Sequence, residues 1–324
     1  MSKKRIFILG VGGVGKNLLL NIKNNTMNFN FDEHFRIIGA ADSRSIILGE
    51  EGISPENLLS AKMEGALENA GSKTARLPNP DEVDILIDAS TASKDGLRET
   101  NIYKDFLLAG KSVVTSNKSP LANFWPEVMN FSKEGKGNIL YESTVCGGLP
   151  LFNMVRSSLH GMKIMQFSGI VNLTTNYILE IMRRGGRMDE AIQDAIREGF
   201  AETDYSDDVT GLDSARKSII ISNSLFGTEF RLRNLKYEGI TSSIEFENGS
   251  RKMLLSTVTR RDDEIIVESR IRNVNKNENF YNLGPKSMAY ELKPSGRSAI
   301  FVSEDFDGPV ETSLGVLSDI IALA

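Results

Sequence analysis

Cysteine and histidine are nearly missing from this sequence. Its 324 residues include one cysteine, Cys146, and two histidines, His34 and His160. A single cysteine excludes an internal disulfide framework and a zinc site built from cysteines. Two histidines far apart in the chain argue against a metal site with several imidazole ligands. The composition therefore points away from a small disulfide-stabilised protein and from a transition-metal enzyme.

Long apolar runs and an excess of basic charge are also missing. No stretch approaches the ~20 apolar residues that a transmembrane helix requires. Residues 3–15 start like a signal peptide, but four glycines interrupt the apolar part and no small-residue cleavage site follows. The 38 basic and 43 acidic side chains give a net charge of −5, which argues against nucleic-acid or anionic-membrane partners. We expect a cytoplasmic protein.

The first half of the chain alternates short apolar strands with amphipathic helices. Strands are predicted at residues 5–9, 35–41, 83–89, 112–116 and 138–142, and helices at 15–23, 97–108 and 124–133. The segments 29–34 and 55–75 are interpreted as loops or short helices. This alternation predicts an α/β domain over residues 1–142, with a doubly wound parallel sheet covered on both faces.

After about Ser143 the pattern changes, and a chain of this length is expected to form two domains. One strand (164–172), three helices (174–184, 189–199, 211–226) and shorter β segments (237–302) predict a second, α+β domain over residues 143–307. A last amphipathic helix, within about residues 308–324, is expected to pack back on the first domain. The working hypothesis puts the site in the cleft between the domains.

A glycine-rich motif follows the first strand and opens the first helix. It consists of Gly10, Val11, Gly12, Gly13, Val14 and Gly15. In a dinucleotide-binding motif the first glycine permits a tight turn, the second a close approach to the pyrophosphate, and the third close packing of the helix. Glycine clusters also mark plain turns, but the strand before and the helix after favour a Rossmann-type site for NAD or NADP.

The end of the second strand carries residues expected to contact the cofactor's ribose, namely Asp42, Ser43 and Arg44. A carboxylate here favours NAD, whereas a guanidinium pairs with the 2′-phosphate of NADP, so the choice of cofactor stays open. Asp42 lies 32 residues after Gly10, against the usual ~20, which requires an intervening loop. A plain turn residue is the alternative interpretation of Asp42.

Four ordered stretches give the sequence a specific resemblance. They are S-V-V-T-S-N-K-S-P-L-A (112–122), Y-E-S-T-V-C-G-G-L-P-L (141–151), G-I-V-N-L-T-T-N-Y-I-L (169–179) and G-F-A-E-T-D-Y-S-D-D-V-T-G-L-D-S-A-R-K (199–217). In order and content they resemble homoserine dehydrogenases, up to about Phe226 and more weakly afterwards. The resemblance implies NAD(P)H-dependent reduction of L-aspartate 4-semialdehyde to L-homoserine, in threonine and methionine biosynthesis. It also implies a homodimer, with the second domain binding substrate and forming the dimer.

The last stretch contains the candidate catalytic residues. Asp213 and Lys217 stand at i and i+4 on a predicted helix, where spacing alone allows either a solvated surface ion pair or a directed one. Neighbouring apolar residues favour a buried helix. The resemblance implies that Lys217 is the catalytic lysine, Asp213 its partner and Glu202 the ligand of the substrate's ammonium group. A plain loop carboxylate is the alternative for Glu202.

Three further candidates follow predicted strands, at the edge of the sheet where open α/β folds bind ligands. Lys118 is predicted in a loop after the 112–116 strand, and Ser90 and Thr91 end the strand before it. The resemblance implies that Lys118 faces the cofactor and the substrate as a second cation. It also implies that Ser90 and Thr91 contact the cofactor.

The turn after the fifth strand has two interpretations. The resemblance implies that main-chain carbonyls here hold a monovalent cation, commonly Na⁺, at the positions of Glu142, Val145, Gly147 and Leu149. Cys146 in the same turn would be the nucleophile of a thiol-dependent aldehyde dehydrogenase, but no activating base supports this. A small residue in a tight turn is the better account.

The sequence also departs from the family pattern. The glycine- and alanine-rich turn that precedes the family's last helix is here D-F-D-G-P-V-E-T-S-L-G (305–315), so a cofactor contact by this segment stays open. We expect no room in the chain for the ACT or aspartate kinase domains that many relatives carry. Two other functions also stay open, namely another NAD(P)-dependent amino-acid dehydrogenase and an inactive NAD(P)-binding regulator.

Overall fold

The computed structural model describes residues 2–201, 204–247 and 250–324. Its α-helices are α1 (Gly13–Lys23), α2 (Phe31–His34), α3 (Pro55–Met63), α4 (Leu97–Leu108), α5 (Lys118–Gly135), α6 (Phe152–Ser157), α7 (Leu173–Arg183), α8 (Met188–Arg197), α9 (Ser206–Val209), α10 (Leu212–Phe226) and α11 (Pro309–Ile321). Its strands are β1 (Lys4–Leu9), β2 (Phe35–Ala41), β3 (Ile46–Leu48), β4 (Ser72–Thr74), β5 (Ile85–Asp88), β6 (Ser112–Thr115), β7 (Ile139–Leu140), β8 (Ile164–Ile170), β9 (Arg251–Arg261), β10 (Glu264–Val274), β11 (Met288–Pro294) and β12 (Ile300–Glu304). None of the described helices is both long and apolar enough to cross a membrane.

The chain divides into two compact units. The first runs to Gly148 and takes in Pro309–Ala324, and the second is Leu149–Gly308. The first unit thus continues six residues beyond the predicted boundary at 142. The reason is that the turn after β7 packs on α11: the Glu142 N–H donates to Asp319 Oδ2 (2.9 Å), and the Ser143 hydroxyl to the Thr312 carbonyl (2.7 Å).

The first unit contains the predicted parallel sheet. The strand order is β4-β3-β2-β1-β5-β6-β7, with β1 parallel to β2 and β5, and β6 parallel to β5 and β7. Ile6, Phe7 and Ile8 of the central strand are fully buried, as expected for a sheet covered on both faces. The three-residue strands β3 and β4 extend it antiparallel at one edge. Both are absent from the sequence prediction, because three residues are too few to show a period.

Helix α5 differs from its prediction. It begins at Lys118, so this lysine is the first residue of a helix and the predicted loop position was wrong. Asn117 caps the helix, since its Oδ1 accepts a hydrogen bond from the Ser119 N–H at 3.1 Å. The backbone leaves helical geometry at Phe124 (φ −130°, ψ 31°), two residues before Pro126. This kink hides the first turns from a search for helical periodicity.

The second unit has a purely antiparallel sheet with helices packed on it. Its strand order is β10-β9-β8-β11-β12. The three predicted helices correspond to α7, α8 and α10. Buried apolar side chains of α7 and α8 pack in one cluster with Leu254 of β9 and with Ile240. A hydrogen bond from Ser218 to Ser256 (2.8 Å) ties α10 to β9. The predicted fold class, an α/β unit with a second α+β unit, is confirmed.

Candidate active site

Two glycines of the motif are required by close backbone approach. Gly10 has φ +100°, and a Cβ there would lie 2.5 Å from the backbone of Ala89 and Ser90. A Cβ on Gly15 would lie 2.1 Å from the Gly10 carbonyl oxygen. Neither contact can be relieved by moving a side chain, so only glycine allows α1 to start this close to the turn.

Gly12 is a glycine for another reason. It caps α1, and a Cβ there would meet no protein atom within 4 Å. The space beside Gly12 at this helix start is therefore open, and the first N–H groups of an α-helix have no partner within the helix. An open concavity with helix N–H donors fits the pyrophosphate of NAD(P). Of the two valines of the motif, Val11 is buried in the hydrophobic core and Val14 is partly buried against it.

Asp42 directly follows β2, and the structure gives it a partner that sequence reasoning missed. Its Oδ1 accepts hydrogen bonds from the N–H groups of Arg44 (2.8 Å) and Ser45 (3.0 Å). Its Oδ2 accepts one from Lys62 Nζ of α3. Burial acts to raise the pKa of Asp42, but Lys62 and the two N–H donors outweigh it and hold the pKa below its ordinary value. Ser43 and Arg44 are exposed on the turn beside it.

A closed ring of buried polar groups holds the two loops that follow β5 and β6. Asp88 Oδ1 accepts from the N–H (3.0 Å) and the hydroxyl (2.5 Å) of Ser90, and its Oδ2 from the Tyr103 hydroxyl (2.5 Å). Tyr103 is hydrogen-bonded to the Thr115 hydroxyl (2.8 Å), which accepts from the Asn117 N–H (2.9 Å). The Asn117 amide donates to the Ser90 hydroxyl (3.3 Å) and completes the ring.

This ring connects the candidate residues at the carboxyl edge of the sheet. Ser90 is part of it, exposed Thr91 is the next residue, and Lys118 follows Asn117 as the first residue of α5. Burial raises the pKa of Asp88, and the hydrogen bonds from Ser90 and Tyr103 offset part of this effect. Burial also raises the pKa of Tyr103 well above 10. The phenol therefore stays protonated and acts as a donor.

In the second unit, the structure brings Lys217 and Asp213 together as a directed pair. Lys217 Nζ lies 3.1 Å from Asp213 Oδ2, and the side chains are only 14% and 6% exposed. Nζ also donates to the carbonyl of Val171, the residue after β8, at 2.6 Å. A surface ion pair is therefore excluded for these residues. Two fixed acceptors orient the ammonium group and limit its motion.

Two residues beside this pair were not singled out from the sequence. Asn172 donates to Asp213 Oδ2 (2.8 Å) and to Asp208 Oδ1 (2.6 Å). Asp208 stands out in the sequence only as one of several aspartates in residues 204–208, and Asn172 only as part of the 169–179 stretch. Glu202, the predicted ligand of the ammonium group, lies outside the described residues.

The turn proposed to hold a cation is tightly packed. Glu142, Val145 and Leu149 are buried, and Gly147 has φ +56°. Cys146 is also completely buried, which removes its thiol from any substrate in solution. Among the described residues, no group of three or more His, Cys, Asp or Glu side chains could hold a metal ion. A site made of carbonyl groups is not of that kind and stays a prediction.

The segment 305–315, which departs from the family's glycine- and alanine-rich pattern, belongs to the first unit from Pro309 onwards. Pro309 starts α11, and its side chain lies 3.6 Å from where a Cβ of Gly13 would be. A Cβ on Gly148 would lie 2.8 Å from Glu311 Cβ. The start of α11 thus packs beside the glycine motif, a neighbourhood that the sequence does not reveal.

Family models match both units. The homoserine dehydrogenase NAD-binding domain matches residues 10–142, and the homoserine dehydrogenase model matches residues 150–321. The second match extends past Phe226, where the sequence resemblance is weaker, to residue 321. The β segments and α11 lack sharp motifs, but their pattern is still that of the family.

Full-length relatives agree with this assignment. A homoserine dehydrogenase of Sulfurisphaera tokodaii is 29% identical, over 98% of each chain. An NAD(+)-dependent homoserine dehydrogenase of Pseudomonas canavaninivorans is 27% identical, over 99% of this chain and 96% of its own. The structure of a Thermoplasma acidophilum homoserine dehydrogenase superposes with a TM-score of 0.88 at 33% identity, covering 99% of both chains. A hyperthermophilic archaeal homoserine dehydrogenase in complex with NADPH superposes with a TM-score of 0.83 at 27% identity, over 99% of this chain and 97% of its own. The chain belongs to the homoserine dehydrogenase family, whose members are NAD(P)-dependent oxidoreductases.

Proposed function

We propose that this protein reduces L-aspartate 4-semialdehyde to L-homoserine with NADH or NADPH, a step of threonine and methionine biosynthesis. The observation that carries the proposal is the buried Lys217–Asp213 pair, in a chain that also has an open glycine cradle at the start of α1. The cradle fits a dinucleotide, and the pair supplies a positioned proton donor. An inactive NAD(P)-binding regulator would have no need for such a donor.

The reaction needs a proton and charge stabilisation at the aldehyde oxygen. When bound, the reduced nicotinamide supplies the hydride that reaches the aldehyde carbon. Lys217 gives its proton to the oxygen as negative charge develops there, a role that suits an ammonium group held by Asp213 and the Val171 carbonyl. Lys118 adds a second positive charge, and Glu202 binds the substrate's ammonium group.

The cofactor preference depends on three charged residues around the turn after β2. Asp42 accepts hydrogen bonds from the ribose hydroxyls, while Arg44 and Lys62 attract a 2′-phosphate. Because Lys62 already neutralises Asp42, the carboxylate repels a 2′-phosphate less than a free one would. Ser90 and Thr91 contact the cofactor from the loop after β5, and the start of α11 at Pro309 borders its pyrophosphate.

We further propose a monovalent cation, commonly Na⁺, on carbonyl groups of Glu142, Val145, Gly147 and Leu149. The family resemblance supports it, and Glu142, Val145 and Leu149 are buried in this turn. Steady-state rates in Na⁺, K⁺ and choline chloride at equal ionic strength test it. Equal rates in all three salts would contradict the proposed cation site.

A homodimer located in the cytoplasm completes the proposal. The outer strands β10 and β12 support self-association, because Ile265, Ile266, Val267, Phe301 and Val302 are only partly buried there. Light scattering coupled to gel filtration measures the mass directly. A monomer at micromolar concentration would contradict the dimer.

The activity itself is tested by following NAD(P)H absorbance. Purified protein should reduce aspartate semialdehyde and oxidise homoserine, with at least one of the two cofactors. Aspartate and saccharopine serve as comparison substrates for the other amino-acid dehydrogenases. Turnover of aspartate or saccharopine instead of homoserine would show that the protein is another amino-acid dehydrogenase. Tight cofactor binding without any turnover would favour an inactive NAD(P)-binding regulator.

A further inference from the structure

The side chain of Asn172 joins the Lys217–Asp213 pair to a second carboxylate, that of Asp208. It follows β8 and caps α7, where its Oδ1 accepts a hydrogen bond from the Thr175 N–H at 2.8 Å. Its Nδ2 donates to Asp208 Oδ1 at 2.6 Å and to Asp213 Oδ2 at 2.8 Å. Because the Thr175 N–H can only donate, the amide must present its oxygen to the cap and its NH₂ to the two carboxylates.

This arrangement solves an electrostatic problem. The carboxylates of Asp208 and Asp213 both lie within hydrogen-bond distance of Asn172 Nδ2. Two carboxylates this close repel each other unless hydrogen-bond donors stabilise their charges. A neutral amide with two N–H groups serves both carboxylates without adding charge. Asp213 Oδ2 is also the atom that lies 3.1 Å from Lys217 Nζ. The Asn172 amide therefore holds Asp213 Oδ2 in place, and this oxygen in turn orients the ammonium group of Lys217.

The backbone next to Asn172 acts on the same lysine. The carbonyl of Val171 accepts a hydrogen bond from Lys217 Nζ at 2.6 Å. The two residues that follow β8 thus hold Lys217 in two ways, directly through the Val171 carbonyl and indirectly through Asn172 and Asp213. The side chain of Asn172 is 4% exposed, so water does not compete well for these contacts.

We propose that Asn172 is a positioning residue for the reaction, which orients Lys217 through Asp213 while capping α7. The inference rests on the proposed function in that Lys217 is the proton donor. Serine and aspartate are both good N-cap residues, so Asn172→Ser and Asn172→Asp keep the cap. Serine is too short to bridge the two carboxylates, and aspartate replaces the donor with a third negative charge.

Asn176 provides a matched control one turn along α7. It is also a buried asparagine, but its amide donates to the carbonyls of Asn172 and Leu254 and accepts from the Leu254 N–H. Asn176→Ser therefore removes buried amide hydrogen bonds from the same helix without touching a carboxylate. It measures the purely structural cost of such a change.

The experiment compares Asn172→Ser, Asn172→Asp and Asn176→Ser with the unmodified protein by two methods. The first is steady-state kinetics, with kcat and the KM values of substrate and cofactor. The second is competitive acetylation of lysines with acetic anhydride, read by mass spectrometry, which needs neither cofactor nor turnover. It reports how firmly Lys217 is held, relative to exposed lysines of the same molecule. Thermal unfolding of each variant monitors the fold.

We expect both Asn172 variants to lose roughly tenfold to a hundredfold in kcat, as for a lost hydrogen bond to a charged group, with the cofactor KM within twofold. Lys217 should be acetylated several times faster in both. Asn176→Ser should change the melting temperature but neither the kcat nor the acetylation of Lys217. Unchanged Lys217 acetylation in both Asn172 variants would overturn the inference, whether or not the protein turns over homoserine. Failure of the unmodified protein to turn over homoserine would instead count against the proposed function.

Discussion

Lys62 of α3 donates a hydrogen bond to Asp42, twenty residues earlier in the chain, and neutralises the carboxylate at the end of β2. The side chain of Asp42 is 8% exposed and also accepts two backbone N–H groups. Its charge is therefore maintained but balanced. Because Lys62 is paired with Asp42, we expect the cofactor preference to depend on three residues, Asp42, Arg44 and Lys62, and not on Asp42 and Arg44 alone.

Substitutions at these positions should change the cofactor preference in opposite directions. Asp42→Ala removes the ribose acceptor and frees Lys62, so the ratio of kcat/KM for NADPH over NADH should rise roughly tenfold. Lys62→Ala and Arg44→Ala each remove a positive charge, so this ratio should fall while NADH is less affected. Lys73→Ala, an exposed lysine of the same unit, is the control. Equal factors for both cofactors in all three variants would show that none of them contacts the ribose.

Gly12→Ala and Gly15→Ala should fail in different ways. Gly12 has φ −92° and open space around a Cβ, so alanine should leave the stability nearly unchanged but weaken cofactor binding at least ~10-fold by occupying the pyrophosphate position. At Gly15 the Cβ would lie 2.1 Å from the Gly10 oxygen, so alanine should destabilise the fold by about 1–3 kcal/mol or more. Urea unfolding and fluorescence titration with NADPH measure the two effects. A stable Gly15→Ala variant would contradict this packing.

Lys217→Ala should lower kcat by ~10²–10⁴ with little change in cofactor affinity, because the role we propose for the lysine is at the substrate oxygen. Lys217→Arg should not restore the rate, since a guanidinium does not release its proton. Single-turnover kinetics and a cofactor titration check both statements. A kcat within a few-fold of the unmodified protein, or a lost cofactor affinity, would exclude Lys217 as the donor.

Tyr103→Phe should loosen the loop that carries Ser90 and the loop that leads into α5 at Lys118. It removes one hydroxyl that is hydrogen-bonded to Asp88 and Thr115, and leaves a fully buried carboxylate with fewer donors. We expect a loss of about 1–3 kcal/mol in the free energy of unfolding and a raised cofactor KM. Tyr290→Phe removes another buried hydroxyl, whose partner is the Pro150 carbonyl in the second unit, and serves as the comparison. A cofactor KM that rises equally in both variants would mean a general loss of stability.

Glu180 should make the second unit sensitive to acid. It is 4% exposed and paired with Arg183, Arg184 and Arg251. Burial acts to raise its pKa, but the hydrogen bonds and charges of these arginines prevail and lower the pKa from 4.5 to about 2. A lowered acid pKa stabilises the folded state above pH 4.5, and this stabilisation is lost as the pH falls from 4.5 to about 2.

Glu180→Gln should therefore reduce the free energy of unfolding at pH 7 by about 3 kcal/mol, since it leaves buried arginine charge without its counterion. Its difference from the unmodified protein should shrink as the pH approaches 3. Urea unfolding at pH 7 and pH 3 gives both numbers. Glu190→Gln, at an exposed position on α8, should change neither. A difference that does not depend on pH would contradict the lowered pKa.

The outline of the fold was open to prediction because it depends on local properties. The runs at 35–41 and 97–108 have the same bounds in the structure, since buried strands and amphipathic helices have distinct periods. The glycine motif could be located because the turn and the helix start lie within six residues. The ordered stretches then identified the family, and with it Lys217 and Asp213.

The rest depended on contacts between residues far apart in the chain. No local pattern indicates that Lys62 reaches Asp42, that Tyr103 closes a ring with Asp88, or that Asn172 joins Asp208 to Asp213. Each is an ordinary polar residue in the sequence, and its role appears only when the backbone brings a charged group within hydrogen-bond distance.

The class of fold and the position of the glycine motif could thus be predicted from the amino-acid sequence, because periodicity and short-range sterics encode them. The proposed catalytic pair, Lys217 and Asp213, came from the family resemblance. The folded arrangement was needed to see which groups neutralise Asp42, which hold the loops after β5 and β6, and which hold Lys217. The energy of a buried charge depends on the groups that surround it in space, and these neighbours are set by the packing of elements that are distant in sequence.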